Sequence, residues 1–424
     1  MMILLSLAYH SLKNRLLTTS LTVFSIGLSI ALLIGVENVR VGARESFANT
    51  ISQTDLIVGA RGGSLQLLLY SVFRIGQATN NITFETYEKW KNHPAVAWTI
   101  PYSLGDSHRG FRVVGTTEDF YKHYRFRRDR SITFESGRSP QDVFEVALGS
   151  DVAKTLGDKT GDKIVITHGV ASAAGRGILD HKDKPFTVTG VLTKTATPVD
   201  RSVYLPLEGI SAVHIDWTDG APPMPGEEVP AEKITKQSVK IDQITSFLLR
   251  SKSRIDTLRL QREISTYSEE PLQAIIPGLT LQELWRTIGY AEDALTVVTF
   301  FVTIVGLLGM LVSLYTSLNE RRREMAILRA IGAGPAKIIS LLVLESFLLS
   351  IAGCVLGVGL VYILSVTFQP IIEQHFGLYV PIQPPTTTGW IYLGAVAVAG
   401  LIIGFIPAWK AYRNTLSDGL SVRL

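Results

Sequence analysis

Hydrophobic and polar positions along the 424-residue chain fall into two regimes. Four stretches are almost free of charge: Leu16 to Val36, Ala294 to Leu318, Ile338 to Phe368 and Gly389 to Ala408. Each reaches the roughly 20 apolar residues that a helix needs to cross a bilayer. The third is broken only by Glu345. Buried core helices are the alternative, and uncharged runs of this length argue against it. Between the first two runs the pattern changes. FRVVG from Phe111, KIVIT from Lys163 and FTVTGVL from Phe186 are short apolar stretches bounded by Gly, Asp or Lys-rich turns, which predicts strands. Helical patterns recur over Thr83 to Lys91, Val152 to Leu156 and Ile255 to Ser265. The expected fold class is an α-helical membrane protein with four transmembrane helices and a large α+β extracytoplasmic domain.

Composition agrees. The chain is 46% hydrophobic and 18% charged, where a soluble domain carries about a quarter charged residues. Its net charge of +4 is mild, and without an aromatic-rich basic stripe or zinc-finger spacing no nucleic-acid partner is expected. Cys354 is the only cysteine and lies inside an apolar run, so no disulfide framework exists. Lys13 and Arg15 precede the first run as in a signal peptide, but the run is long for one. No small-x-small cleavage site follows at VENVRVGARES, so the segment is expected to be retained as a span.

Basic residues near short loops set orientation. Lys13 and Arg15 precede the first run, Arg321, Arg322, Arg323, Arg329 and Lys337 follow the second, and Lys410, Arg413 and Arg423 follow the fourth. The connection FQPIIEQHFGLYVPIQPPTTTG has neither lysine nor arginine. Both termini are therefore expected in the cytoplasm. The expected order is a cytoplasmic segment 1–15, span 16–36, an extracytoplasmic α+β domain 37–293 with stalk helices at both ends, and span 294–318. A cytoplasmic helix 319–337, span 338–368, extracytoplasmic loop 369–388, span 389–408 and cytoplasmic tail 409–424 complete it. TLQELWRTIGYAEDAL predicts a helix entering the membrane from about Leu281.

The stretch NERRREMAILRAIGAG, from Asn319, places four arginines and two glutamates between two spans. A short helix there can lay Met325, Ile327, Leu328 and Ile331 against lipid or a partner groove while its arginines meet anionic lipid or carboxylates. The plain alternative is that the arginines only fix topology. The stretch resembles the cytoplasmic helix of FtsX/MacB-type ABC transporter permeases, through Glu320, Arg321, Glu324, Met325, Leu328, Arg329, Ile331 and Gly332. Glu345, Gly353 and Gly357 fit that family's third span, and EVALGSDVAKTLGDKTGDKIVI, FTVTGVLTKTATPVDRSVYLPL and SLKNRLLTTSLTVFSIGLSIALLIG resemble its ectodomain and first span. The tail IPAWKAYRNTLSDGLSVRL departs from the family pattern.

The resemblance implies a non-catalytic permease subunit in the inner membrane of a bacterium, its large domain 37–293 periplasmic and its helix 319–337 a coupling helix, working by mechanotransmission with two copies of an ABC ATPase and a second copy of itself. Glu320, Arg321, Arg322, Glu324, Met325, Leu328, Arg329 and Gly332 would couple to that ATPase. ATP and Mg would then sit on the partner and no cofactor on this chain. GDKTGDK, from Gly157, is the nearest approach to a phosphate-binding loop and lacks the required lysine. Efflux or extraction of a substrate is the leading expectation. Lipoprotein release, or ATP-driven regulation of a cell-wall enzyme, are the competitors, and a periplasmic partner protein is left open.

Four further groups of residues have both a structural and a functional reading. Glu345 is expected to be structural rather than a proton carrier, since nothing else charged lines the spans. Gly353-x-x-x-Gly357 and Ser25-x-x-x-Ser29 permit close helix approach, within one chain or between two. Leu67, Leu68, Leu69, Tyr70 and Phe73 belong to DLIVGARGGSLQLLLYSVFRIG, which reads as a buried strand and helix or as an apolar lip touching substrate or partner. The ectodomain histidines His93, His108, His123, His168, His181 and His214 show no close ligand spacing, and HKDK at His181 reads as a solvated turn, so no metal site is expected. No G-x-S-x-G or H-E-x-x-H arrangement is present.

Overall fold

The computed structural model describes residues 2–169, 181–217, 229–320, 327, 330–376 and 383–417. Within them the chain forms two units. One comprises 1–42, 288–370 and 380–424, the other 43–287 and 371–379.

The first unit is helical. Leu16–Phe47, Pro277–Ser317, Pro335–Ile371 and Thr387–Lys410 are each long and apolar enough to cross a membrane. The helices containing the first two are longer than a bilayer requires: they run Leu16–Thr50 and Pro277–Glu320 and supply residues to both units. Small residues decide how closely the spans pack. A Cβ on Gly353 would lie 2.5 Å from Ile26 Cγ2, and one on Gly357 2.6 Å from Ile30 and 2.7 Å from the Gly27 carbonyl oxygen. Gly306 takes Ser29 in the same way, and Gly400 and Gly404 take Ser350 and Ser346. The third span is thus clamped between the first and the fourth by glycine contacts. Ser29 packs inside the chain, its Oγ donating to the Ser25 and Val302 carbonyls at 3.0 and 3.3 Å, whereas the Ser25 side chain is exposed.

The second unit is built on one ten-stranded sheet. Across it, nine strands follow in the order Leu272–Ile275, Leu56–Ala60, Ser246–Ser251, Val96–His108, Phe111–Thr116, Ser202–Pro206, Glu145–Leu148, Phe186–Leu192 and Phe134–Gly137. Lys163–Ile164 pairs with Phe186–Leu192. Burial alternates residue by residue along FTVTGVL, as a half-covered strand requires, whereas SVYLP is buried throughout. Gly137 permits the last pairing: its φ is +75°, and a Cβ there would lie 2.0 Å from the Thr189 carbonyl oxygen.

Helices cover the sheet where capping residues start them. Thr83 accepts the Thr86 N–H at the head of Phe84–Lys91, and Ser253 accepts that of Asp256 at the head of Arg254–Ser265. The latter buries Leu260 and Ile264 against Val58 and Leu249 of the sheet's core. DLIVG is an interior strand, and Ser64–Leu68 is a helix that continues into one π-helical turn, Leu69–Phe73. Leu67, Leu68, Tyr70 and Phe73 are buried, and Leu69 packs against the same core. They form no exposed lip; the apolar segment is core.

Candidate functional site

The connection between the second and third spans has described residues at its edges. The second-span helix ends at Glu320, and Ile331 N–H donates to the Ile327 carbonyl over a helical turn. Gly332 then takes a left-handed φ of +92°, which breaks the helix before Pro335 opens the next. Ile327 and Ile331 are both exposed. Arg321, Arg322, Glu324, Met325, Leu328 and Arg329 lie outside the described residues. Flanking basic residues hold the helix ends beside this connection. Arg15 Nη1 donates to the Ser317 carbonyl at 3.1 Å, and Lys410 Nζ sits 4.3 Å from the Tyr315 ring centroid.

Glu345 is 2% exposed, with Ser346 and Ser350 buried on the same helix. Its carboxylate is inside the helical unit and not on its lipid-facing surface.

The ectodomain holds a cluster that sequence spacing did not reveal. The strand Val96–His108 pairs irregularly with its neighbour between Leu104 and Ser107, and the disturbance places Asp106 in the interior. Ser107 exchanges two backbone hydrogen bonds with Thr167, at 3.0 and 2.8 Å, which fixes His168 beside Asp106. His181 N–H donates to the Ile166 carbonyl at 3.0 Å. His214 follows the helix Leu207–Val213. The ligand atoms of His168, His181 and His214 all lie within 4.8 Å of one another. Trp217 packs its ring 5.1, 5.3 and 4.7 Å from their respective ring centroids.

The HKDK turn is solvated only at Lys182 and Asp183, and its two ends are buried. His181 is 3% exposed and Lys184 only 1%, because Lys184 Nζ donates to Asp216 at 2.7 and 2.9 Å and to Asp183 at 2.7 Å. The ion pair ties the His181 turn to the segment bearing His214 and Trp217. Burial pushes the Lys184 ammonium down, and the two carboxylates more than reverse it, leaving it above its ordinary range. The hydrogen bond to Asp106 raises His168, whereas burial and then the neighbouring His214 lower His181.

Four helices of spanning length, a glycine-broken connection between the second and third, and a large α+β domain between the first and second describe a membrane permease subunit. Two family models match in tandem: the MacB-like periplasmic core domain over residues 19–266 and the FtsX-like permease C-terminal over 296–416. The chain belongs to the FtsX/MacB-type ABC transporter permease family, with an inner-membrane permease topology. It is similar to the macrolide export ATP-binding/permease protein MacB of Neisseria meningitidis, 27% identical over 58% of this chain and 35% of that protein. The same-named protein of Nitrobacter winogradskyi is 23% identical over 96% of this chain and 58% of that protein. The chain thus spans between about a third and three-fifths of the length of these relatives. The crystal structure of the periplasmic region of MacB from Actinobacillus actinomycetemcomitans aligns with a TM-score of 0.35 and 11% identity, over 55% of this chain and 94% of that one.

Proposed function

We propose that this chain is a permease subunit that works by mechanotransmission. An ABC ATPase outside these 424 residues grips the Glu320–Gly332 connection, and ATP-driven closure of the ATPase moves it. The Leu16–Thr50 and Pro277–Glu320 helices carry the motion to the periplasmic domain, which exports or extracts a substrate. The observation that carries the reading is the ERRREMAILRAIG pattern itself, seated between two spans of an FtsX-like permease segment. Domain limits follow from the same reading: cytoplasmic ends, a coupling segment at 319–337 and a periplasmic domain with helical stalks at 37–293. Export stands ahead of lipoprotein release or cell-wall regulation because the relatives are named for macrolide export.

A homodimer fits the surface of the second span, the least buried of the four. Val297, Phe301, Val305, Leu308 and Val312 are exposed at helical spacing and form one apolar stripe available to a second copy or to lipid.

The test is purification of the chain from its native membrane with an ATPase assay of whatever accompanies it. An ABC ATPase with vanadate-sensitive activity is expected. Arg321→Glu with Arg329→Glu is expected to lose that ATPase while span insertion and ectodomain folding persist. Repeated recovery of the folded chain alone, or retention of the ATPase by the double variant, would sink the coupling role.

A further inference from the structure

His168, His181 and His214 come from three separate segments of the ectodomain, and each is anchored by contacts of its own. His214 Nδ1 lies 3.0 Å from the Ile210 carbonyl. A carbonyl only accepts, so Nδ1 carries the proton and Nε2 presents its lone pair to the cluster. Facing it, 3.0 Å away, is His168 Nδ1, which also lies 3.2 Å from Asp106 Oδ1. His181 Nε2 is buried and has no hydrogen-bond partner among the described residues. The same is true of Asp106 Oδ2, on a side chain that is 2% exposed. Two orphaned polar atoms thus lie beside the His168–His214 hydrogen bond, buried on the His181 and Asp106 side and open at His168, where buried nitrogen and oxygen normally find partners.

An ordinary buried histidine satisfies both ring nitrogens with protein groups. Among the described residues His181 Nε2 has no such partner, and a bound ion would supply one. Tetrahedral coordination at about 2.0–2.1 Å sets two nitrogens roughly 3.3 Å apart. The 3.0 Å pair is close to that spacing already, and all the ligand atoms lie within 4.8 Å of one another. From these contacts we infer that His168, His181 and His214 form a binding site for a divalent transition ion of the zinc class, with the Asp106 carboxylate beside it as the anionic neighbour.

Imidazole donors select Zn²⁺, Cu²⁺ or Ni²⁺ over Mg²⁺ and Ca²⁺, which require oxygen-rich shells. Three protein ligands leave the fourth tetrahedral position for water or an incoming ligand. The buried Lys184–Asp216 pair and the Ser107–Thr167 bridge hold the segments in place before the ion arrives, so little ordering remains to be done on binding. An occupied site would cross-link Thr167–Gly169, the His181–Lys184 turn and the His214–Trp217 segment. The inference rests on the ectodomain alone and stands apart from the coupling to an ATPase.

The test uses the full chain, purified in detergent through a tag without histidines and stripped by chelator. Zn²⁺ is titrated against a chromogenic competitor, with metal analysis for stoichiometry, and Co²⁺ is added separately to read its visible absorption. Stoichiometric uptake of one ion per chain is expected, with an intense tetrahedral-type Co²⁺ spectrum. His168→Ala, a half-exposed position that the fold tolerates, should weaken Zn²⁺ by at least about 100-fold, and Asp106→Asn by about 10–100-fold. His123→Ala, elsewhere on the domain, should change neither. Circular dichroism and the Co²⁺ spectrum separate loss of the site from loss of the fold. Absence of stoichiometric uptake would overturn the proposal. So would uptake unchanged in both His168→Ala and His214→Ala, or a weak octahedral Co²⁺ spectrum.

Discussion

Lys184 illustrates how a single side chain organises its surroundings. Its ammonium is buried against two carboxylates, one of them the Asp216 side chain, itself only 3% exposed. Removing one partner strands the other's charge, which costs about 3–5 kcal/mol, while replacing both by apolar groups is close to neutral. Lys184→Met should therefore destabilise the ectodomain by about that amount, and Lys184→Met with Asp216→Leu should recover most of it. Denaturant unfolding of the detergent-solubilised chain reads both, and additive losses would contradict the pairing. Glu145 gives an acid-range counterpart. Arg138 donates to both its oxygens, at 2.8 and 2.6 Å, and the Gln141 and Asp142 N–H groups add to this. Arg138 first and these amides next hold the carboxyl at about 2, below its ordinary 4.5. A depressed carboxylate contributes stability that is full above the unfolded value and is lost as pH falls through the folded one. The loss should run from about pH 4.5 down to about 2 and should flatten in Glu145→Gln; an equal slope in both proteins would refute the assignment.

At the scale of elements, the glycine contacts are what set the spacing of the spans. Gly357 meets Ile30 and the backbone of Gly27, and backbone cannot move aside as a side chain can. Gly359, two residues on, has nothing within 4 Å. Gly357→Val should cost about 1–3 kcal/mol by overpacking, seen as a lower melting temperature in detergent, while Gly359→Val should be near neutral. If the two variants melted alike, close approach of the first and third spans would be wrong. The short ectodomain helices and strands were partly legible for local reasons. Thr83 and Ser253 are capping residues, and FTVTGVL alternates cleanly, so Phe84–Lys91, Arg254–Ser265 and Phe186–Leu192 emerge within a residue or two of expectation. KIVIT yields only two strand residues, because the chain beyond Ile164 turns to bond with Val96–His108. Interior strands such as Ser202–Pro206 and Ser246–Ser251 carry little signal of their own, being buried on both faces or nearly so.

For the whole molecule, hydropathy and charge placement carried most of the argument. Four apolar runs and the sign of the connections between them give the topology of the family to which the chain belongs, because a bilayer admits few alternatives. The arginine-rich stretch is likewise a matter of local order, with charges and apolar residues in one short segment of Asn319 to Gly334. What the sequence by itself determined about this protein is therefore its class, its spans and the place of its charged connection, since each depends on residues close together in the chain. Only the tertiary structure decided that Leu67, Leu68, Tyr70 and Phe73 are core, that Gly353 and Gly357 meet Ile26 and Ile30 of the same chain, and that His168, His181 and His214 converge. These facts depend on strand order and helix packing, which bring separate segments together, and no local periodicity encodes a neighbour that comes from another segment of the chain.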